Sequence, residues 1–291
     1  MKIIDRKKIS SEAWDTMVWN DKEALFYNLS WVLDTLCPDW VAVMKGDYEG
    51  AIAIPVQRKM TVRYTYNPFL FHRASVIGNL STDEVDEAVW MAAKYVDLRT
   101  RERMEGSVEW VNCVLNLSKN HLDLVQSYSS NAKRNLKKAS KHNLEFMVTD
   151  SAALISFFFK ENVSFGKLGI KEKEYENFEK LMIEAFDCEI GRGFAVEYNE
   201  EVVACGFWIE FNGRLTFVKG TSSEVGRDCG AMQFLFDRVI SQFSSSSLTL
   251  DFAGSNVESV AQFYKSFGAI EEPIYHLKRN NLPFPLNQIK K

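Results

Sequence analysis

The chain lacks any paired-cysteine motif. Its five cysteines, Cys37, Cys113, Cys188, Cys205 and Cys229, are odd in number and widely spread, with no CxxC among them. That pattern excludes a disulfide framework and points to reduced thiols in a cytoplasmic protein. Histidine is scarce: His72, His121, His142 and His276 are scattered, without metal-ligand spacing, so no metal is expected. No apolar run reaches the roughly 18 residues of a membrane span. The charged opening, Met1-Lys2-Ile3-Ile4-Asp5-Arg6-Lys7-Lys8, lacks the apolar segment of a signal peptide. A dominant charge sign is also missing. With 35 basic and 39 acidic residues the net charge is −4, which exerts no global pull toward nucleic acid or an anionic membrane.

What is present is an ordinary globular composition: 291 residues, 46% apolar and 25% charged. The length suits two domains of about 150 residues. Twenty-one phenylalanines imply thick aromatic packing. Helical periodicity is expected over 10–36, 82–103, 152–163 and 172–186, and strands over 41–44, 51–54, 62–66 and 108–115. The second half repeats this order with strands at 194–198 and 202–211. Asn212-Gly213 then joins Trp208–Phe211 to Leu215–Val218, a strong hairpin signal because both residues accept positive φ. Residues 231–243 carry one apolar stripe and predict a helix. Two successive sets of helices, antiparallel strands, helix and strand predict a duplicated α/β unit.

Between the halves, Tyr128–His142 carries Lys133, Arg134, Lys137, Lys138 and Lys141 and no acidic residue. At helical pitch the five cations fall within about 140° of the circumference. Ala132, Leu136 and Ala139 fall opposite. Such a face is either solvated surface or an anion site.

Two stretches of the second half speak to chemistry. Gly220–Ala231 lies between a strand and a helix. Its glycines allow backbone N–H groups to approach an anion, and a pyrophosphate could sit on the amides near Gly226–Ala231; a structural turn is the other reading. Leu250–Ala269 reads as a buried strand, a sharp turn and a short helix. Ser255 is its expected N-cap, Glu258 completes a capping box, and Gly268 ends it. Tyr264 falls on the inward stripe with Val257, Val260, Ala261 and Phe267. It is either a core tyrosine whose hydroxyl finds a backbone partner or a general acid, since a phenol of pKa about 10 suits return of a proton to a thiolate.

Together these residues resemble the GNAT acyltransferase superfamily. Arg227-Asp228-Cys229-Gly230-Ala231 is similar to the family's Q/R-x-x-G-x-G/A loop, with Met232 in its last small position. Ala261–Ala269 is similar to its closing helix. Asn256 lies one residue before the place of the family's asparagine, which Val257 occupies. Tyr128–Ala139 looks like the helix joining the two GNAT-like domains of Fem-type peptidoglycan-bridge transferases. Trp14-Asp15, Trp31–Asp34 and Asp39-Trp40 resemble the start of bacterial proteins with that tandem layout.

The resemblance implies an α/β (α+β) fold of two tandem GNAT-like domains, each a mixed, largely antiparallel sheet flanked by helices. Residues 1–148 would form a degenerate N-terminal domain ending in the linking basic helix 128–142. Residues 149–291 would form the domain that holds the acyl donor, with the cleft between the two receiving the acceptor. The implied function is acyl-CoA-dependent N-acyl transfer, from acetyl-CoA or another acyl-CoA to a small-molecule or peptide amine. Phe217, Val218, Lys219, Gly226, Arg227, Gly230, Ala231 and Asn256 would bind the donor. Strand amides near Phe217–Lys219 would hold the thioester oxygen. Tyr264 would be the acid, and Glu210 and Asp251 are the carboxylate candidates for the base. A Fem-type transferase using aminoacyl-tRNA on a cell-wall precursor, and a non-catalytic GNAT-like binding protein, are the other two readings.

Overall fold

The computed structural model describes residues 1–59, 62–163, 170–254 and 257–289. The chain divides into two compact units, Met1–Val111 with Pro273–Lys291, and Asn112–Glu272. This division differs from a break at residue 148. Residues 112–148 pack with the second unit, and 273–291 pack with the first.

The first unit holds β1 (Lys2–Asp5), α1 (Ser11–Asn20), α2 (Ser30–Leu36), β2 (Val41–Lys45), β3 (Gly50–Ile54), β4 (Val56–Lys59), β5 (Val62–Thr65), β6 (Val76–Gly78), α3 (Thr82–Ala92) and β7 (Tyr95–Thr100). The strands β1-β2-β3-β6 form one antiparallel sheet. The 10–36 region forms two helices instead of one. The helix expected over 82–103 stops at Ala92, and Tyr95–Thr100 is a strand. Its burial alternates, with Val96, Leu98 and Thr100 inside, so period two overrides the helical reading there.

The tryptophan-aspartate pairs organise this unit's core. Trp14 and Trp40 are fully buried, with ring centroids 4.9 Å apart. The Trp14 indole N–H donates to the Asn28 carbonyl at 2.7 Å. Asp15 accepts from the Ser30 amide and hydroxyl. Asp34 accepts from Arg6 and from the Trp40 indole.

The chain enters the second unit within β8 (Val108–Asn116). There follow α4 (His121–Gln126), α5 (Ser130–Ala139), β9 (Glu145–Thr149), α6 (Ala152–Asn162), α7 (Glu172–Asp187), β10 (Gly191–Tyr198), β11 (Glu201–Phe211), β12 (Arg214–Ser222), α8 (Glu224–Cys229), α9 (Ala231–Phe243), β13 (Thr249–Asp251) and α10 (Glu258–Lys265), and the chain leaves within β14 (Ile270–Asn280). The strand order is β8-β13-β12-β11-β10-β9, antiparallel except for β12 against β13. Asn212 and Gly213 both take positive φ, 46° and 73°, and close the β11–β12 hairpin as expected. Helices cover both faces of this sheet. Phe207 packs on Phe178 and Phe186 of α7, while its neighbour Trp208 packs on Phe236 of α9. Successive strand residues point to opposite faces, so one dipeptide anchors both layers.

Among the described residues, no helix is long and apolar enough to cross a membrane, and no group of three His, Cys, Asp or Glu could hold a metal.

Candidate active site

The site begins with a strand that outruns its neighbour. β12 pairs with β11 along its length, but with β13 only over Arg214–Thr216. Beyond that point, Phe217–Ser222 has one edge without a strand partner among the described residues, where alternate backbone amides stay available. β13 is short because the chain turns sharply at Ala253 and Gly254, both in the left-handed region at φ 54° and 55°. Asp251 fixes that turn by accepting the Ala253 amide at 2.8 Å. Its carboxylate is buried and held by Arg214 at 2.9 Å and Asn112 at 3.0 Å. Arg214 reaches Glu272 at 2.5 Å as well. Burial opposes the Arg214 charge, and the two carboxylates outweigh it, raising its pKa.

A cavity of about 400 Å³ opens beside the unpaired edge. Phe217, Gly220 and Ser222 of β12, Arg227 of α8, Gln233 of α9 and Tyr264 of α10 contribute to its wall. The volume lies within the roughly 300–1,000 Å³ of small-molecule pockets. The rings of Phe217, Phe236 and Phe252 surround Tyr264, with Phe252 at 4.8 Å. Tyr264 is 8% exposed, and its hydroxyl has no hydrogen-bond partner among the described residues. Burial, with a smaller contribution from the Cys113 thiol, pushes the phenol above the usual tyrosine range. It therefore stays protonated at neutral pH and can act as an acid.

Gly220–Ala231 is not an open loop. Ser223 caps α8 by accepting the Gly226 amide at 3.0 Å, which removes that amide from anion binding. Gly226 is glycine for packing: a Cβ there would lie 2.1 Å from the Val203 carbonyl oxygen. Gly230, at φ 75°, ends α8 and starts α9 without a side-chain cap. The first α9 amides, with Ala231 buried and Met232 and Gln233 at the cavity, are therefore the polar end of the site. Arg227 is exposed beside them and spends one guanidinium nitrogen on the Ser222 carbonyl at 3.0 Å.

Of the residues expected to bind a donor, Phe217 and Arg227 line the cavity and Gly230 and Ala231 begin α9. Val218 is the extra residue of a β-bulge, between the pairs Trp208↔Phe217 and Phe207↔Lys219. That bulge leaves Phe217 on the α9 face with Trp208 and turns Lys219 to the α7 face with Phe207. Asn256 and the expected cap Ser255 lie outside the described residues. The helix itself starts at Glu258, with Val257 in the cap position. The base candidates do not line the cavity. Glu210 pairs with Arg192 at 2.9 Å, and Asp251 is consumed by its buried network. Ser222, Met232 and Gln233 were missed by sequence reasoning. The glycine before the α9 stripe was the one signal that pointed to the last two.

The basic helix α5 is capped by Ser129, and its four cations, with Lys141 just beyond its end, are all exposed. Ala132 and Ala139 are its buried side. None of the five cations pairs with a carboxylate among the described residues. Gly230 would meet the Asn135 carbonyl and Ala139 of this helix at 3.4 and 3.6 Å if it carried a Cβ, so α5 abuts the start of α9.

No family model and no curated protein matches the sequence. Solved structures do. FemX shares the fold with a TM-score of 0.65 at 12% identity, covering 100% of both chains. A conserved protein of unknown function from Bacteroides thetaiotaomicron gives a TM-score of 0.61 at 12% identity, covering 95% of this chain and 100% of its own. L-PGS from Bacillus licheniformis gives 0.51 at 12% identity, covering 96% and 95%. The mixed sheets flanked by helices, and likeness over the whole length, show a FemX-like fold.

Proposed function

We propose that the second unit transfers an acyl group from a phosphate-bearing thioester, acetyl-CoA or another acyl-CoA, to an amine. The observation that carries this reading is the unpartnered Tyr264 hydroxyl in the same cavity as the uncapped α9 N-terminus. Arg227 and the first α9 amides would hold the pyrophosphate. The free edge of β12 from Phe217 would bind the donor's amide-bearing arm and orient its carbonyl. A bound acyl-CoA supplies the electrophilic carbonyl and the thiolate leaving group. Tyr264 holds the proton that the departing thiolate takes, and the surrounding phenylalanines exclude water.

A second reading has a specific observation behind it. Helix α5 abuts the start of α9 through Asn135 and Ala139 and exposes Lys133, Arg134, Lys137 and Lys138, and an aminoacyl-tRNA donor, the kind that Fem-type enzymes use, would meet those cations with its phosphates. One experiment separates the two. A CoA thioester at 100 times its dissociation constant adds about 2.7 kcal/mol of stability and raises the melting temperature. No shift with acetyl-CoA, longer acyl-CoAs or free CoA removes the first reading. Binding of aminoacyl-tRNA that weakens steeply with salt would then establish the second.

A further inference from the structure

We propose that Lys138 of α5 binds the phosphomonoester of an acyl-CoA donor, the 3′-phosphate of its adenosine, beside the uncapped start of α9. This assignment rests on the acyl-transfer reading above and makes the donor's third phosphate part of its recognition. On that reading the pyrophosphate meets Arg227 and the first α9 amides, in the cavity that also holds the buried Tyr264 hydroxyl. The 3′-phosphate sits on the same ribose as the pyrophosphate, a few bonds away, so it lies just outside that end of the cavity. It brings further negative charge and calls for a cation of its own. Arg227 already spends one guanidinium nitrogen on the Ser222 carbonyl.

Helix geometry selects Lys138 among the cations of α5. The helix meets Gly230 through the Asn135 carbonyl and Ala139. At helical pitch Lys138 lies about 60° from Asn135 and about 100° from Ala139, on the border of that contact. Lys133 and Lys137 lie about 120–160° from both and point away. Lys133 also donates to the Gln126 carbonyl at 2.9 Å. Arg134 shares the Lys138 row one turn earlier, but gives one nitrogen to Asn131 at 2.7 Å. Lys138 is exposed, and its ammonium makes no hydrogen bond or ion pair among the described residues. Burial raises the Cys229 thiol and the Lys138 charge opposes that rise, so the ammonium lies within electrostatic reach of the α8–α9 junction. Asp228, the carboxylate at that junction, forms no ion pair with it among the described residues.

Charge complementarity separates the two donors. A nucleic-acid backbone would spread over the whole cationic face, since each phosphate along it recruits a cation. A single phosphomonoester engages only the row that borders Gly230. Dependence on Lys138 alone therefore marks the phosphomonoester, and equal dependence on Lys133, Lys137 and Lys138 marks a polyanion.

The test is calorimetric titration of the full chain with CoA and with dephospho-CoA, which lacks only the 3′-phosphate. The wild type should bind CoA about tenfold more tightly, the scale of one hydrogen bond to a charged group. Lys138→Gln should bind both ligands alike, at the wild-type affinity for dephospho-CoA, with little change in melting temperature. Lys138→Arg should restore most of the preference, and Lys133→Gln and Lys137→Gln should keep it in full. Equal wild-type affinity for the two ligands overturns the assignment. So does a preference that survives Lys138→Gln, or one that falls equally in all three glutamine variants. Each of those outcomes leaves the acyl-CoA reading standing. Absence of binding by either ligand in the wild type overturns that reading, and this assignment with it.

Discussion

The polar residues at the first unit's tryptophan core and those around the second unit's cavity are used in opposite ways. In the first, Trp14, Asp15, Asp34 and Trp40 satisfy one another and their neighbours, so aromatic N–H groups and carboxylates are consumed in holding the core. In the second, an equally aromatic core leaves a phenol unpartnered, a strand edge unpaired and a helix N-terminus uncapped around one cavity. A fold keeps such a group where something else is to bind it. The contrast assigns structural work to Trp14, Asp15, Asp34 and Trp40 and, on the acyl-transfer proposal, chemical work to Tyr264.

Variants can break that contrast. Asp251→Ala should have the largest effect, because it removes the buried carboxylate held by Arg214 and Asn112 and frees the Ala253 turn. Removing one partner of a buried ion pair costs about 3–5 kcal/mol. Urea unfolding measures this, and a loss below about 1 kcal/mol would show that the network does not hold the site. Tyr264→Phe should follow, with turnover lowered about 100-fold, equivalent to about 2.7 kcal/mol, and little change in melting temperature or donor affinity. A large loss of stability with unchanged turnover would return Tyr264 to the core. Trp14→Phe should cost about 1–3 kcal/mol through the lost Asn28 bond and leave the second unit's chemistry unchanged, as calorimetry and kinetics on the same sample would show.

Smaller effects sharpen the contrast. The Lys219 amine is held below the ordinary lysine range by burial. Between its folded and unfolded pKa values the unfolded chain binds more protons, so stability rises with pH across that window. Subtracting the Lys219→Met melting curves from wild type as pH is lowered from the ordinary lysine range should reveal that slope. Replacing Lys137 and Lys138 by Gln should change stability by less than about 0.5 kcal/mol, as for an exposed face. If tRNA is the donor, the same change should flatten the salt dependence of its binding.

Much of the fold was legible. The Asn212-Gly213 turn, the α9 stripe and the basic helix follow from local rules, because positive φ, period 3.6 and charge are properties of a few adjacent residues. The strand at Tyr95–Thr100 was misread because the acidic start and basic end of 82–103 suited one helix, while the alternation of Val96, Leu98 and Thr100 marks a strand. The site was half legible. Tyr264, Phe217 and Arg227 carry a recognisable motif and meet at one cavity. Gly226 carried the same motif, yet its Cα faces the Val203 carbonyl and its amide serves Ser223.

By itself, then, the sequence determined the elements, their amphipathic faces and the α/β grammar of two successive halves, since these depend on neighbours one to four residues away. Only the tertiary structure decided which polar groups stay free. It tied Asp251 to Arg214 and Asn112, tied Glu272 to the same Arg214, tied Glu210 to Arg192, left the Tyr264 hydroxyl without a partner among the described residues, and turned Lys219 to the other face through one extra residue at Val218. Those outcomes depend on partners 18 to 139 residues distant and on the register between strands, which no local pattern encodes.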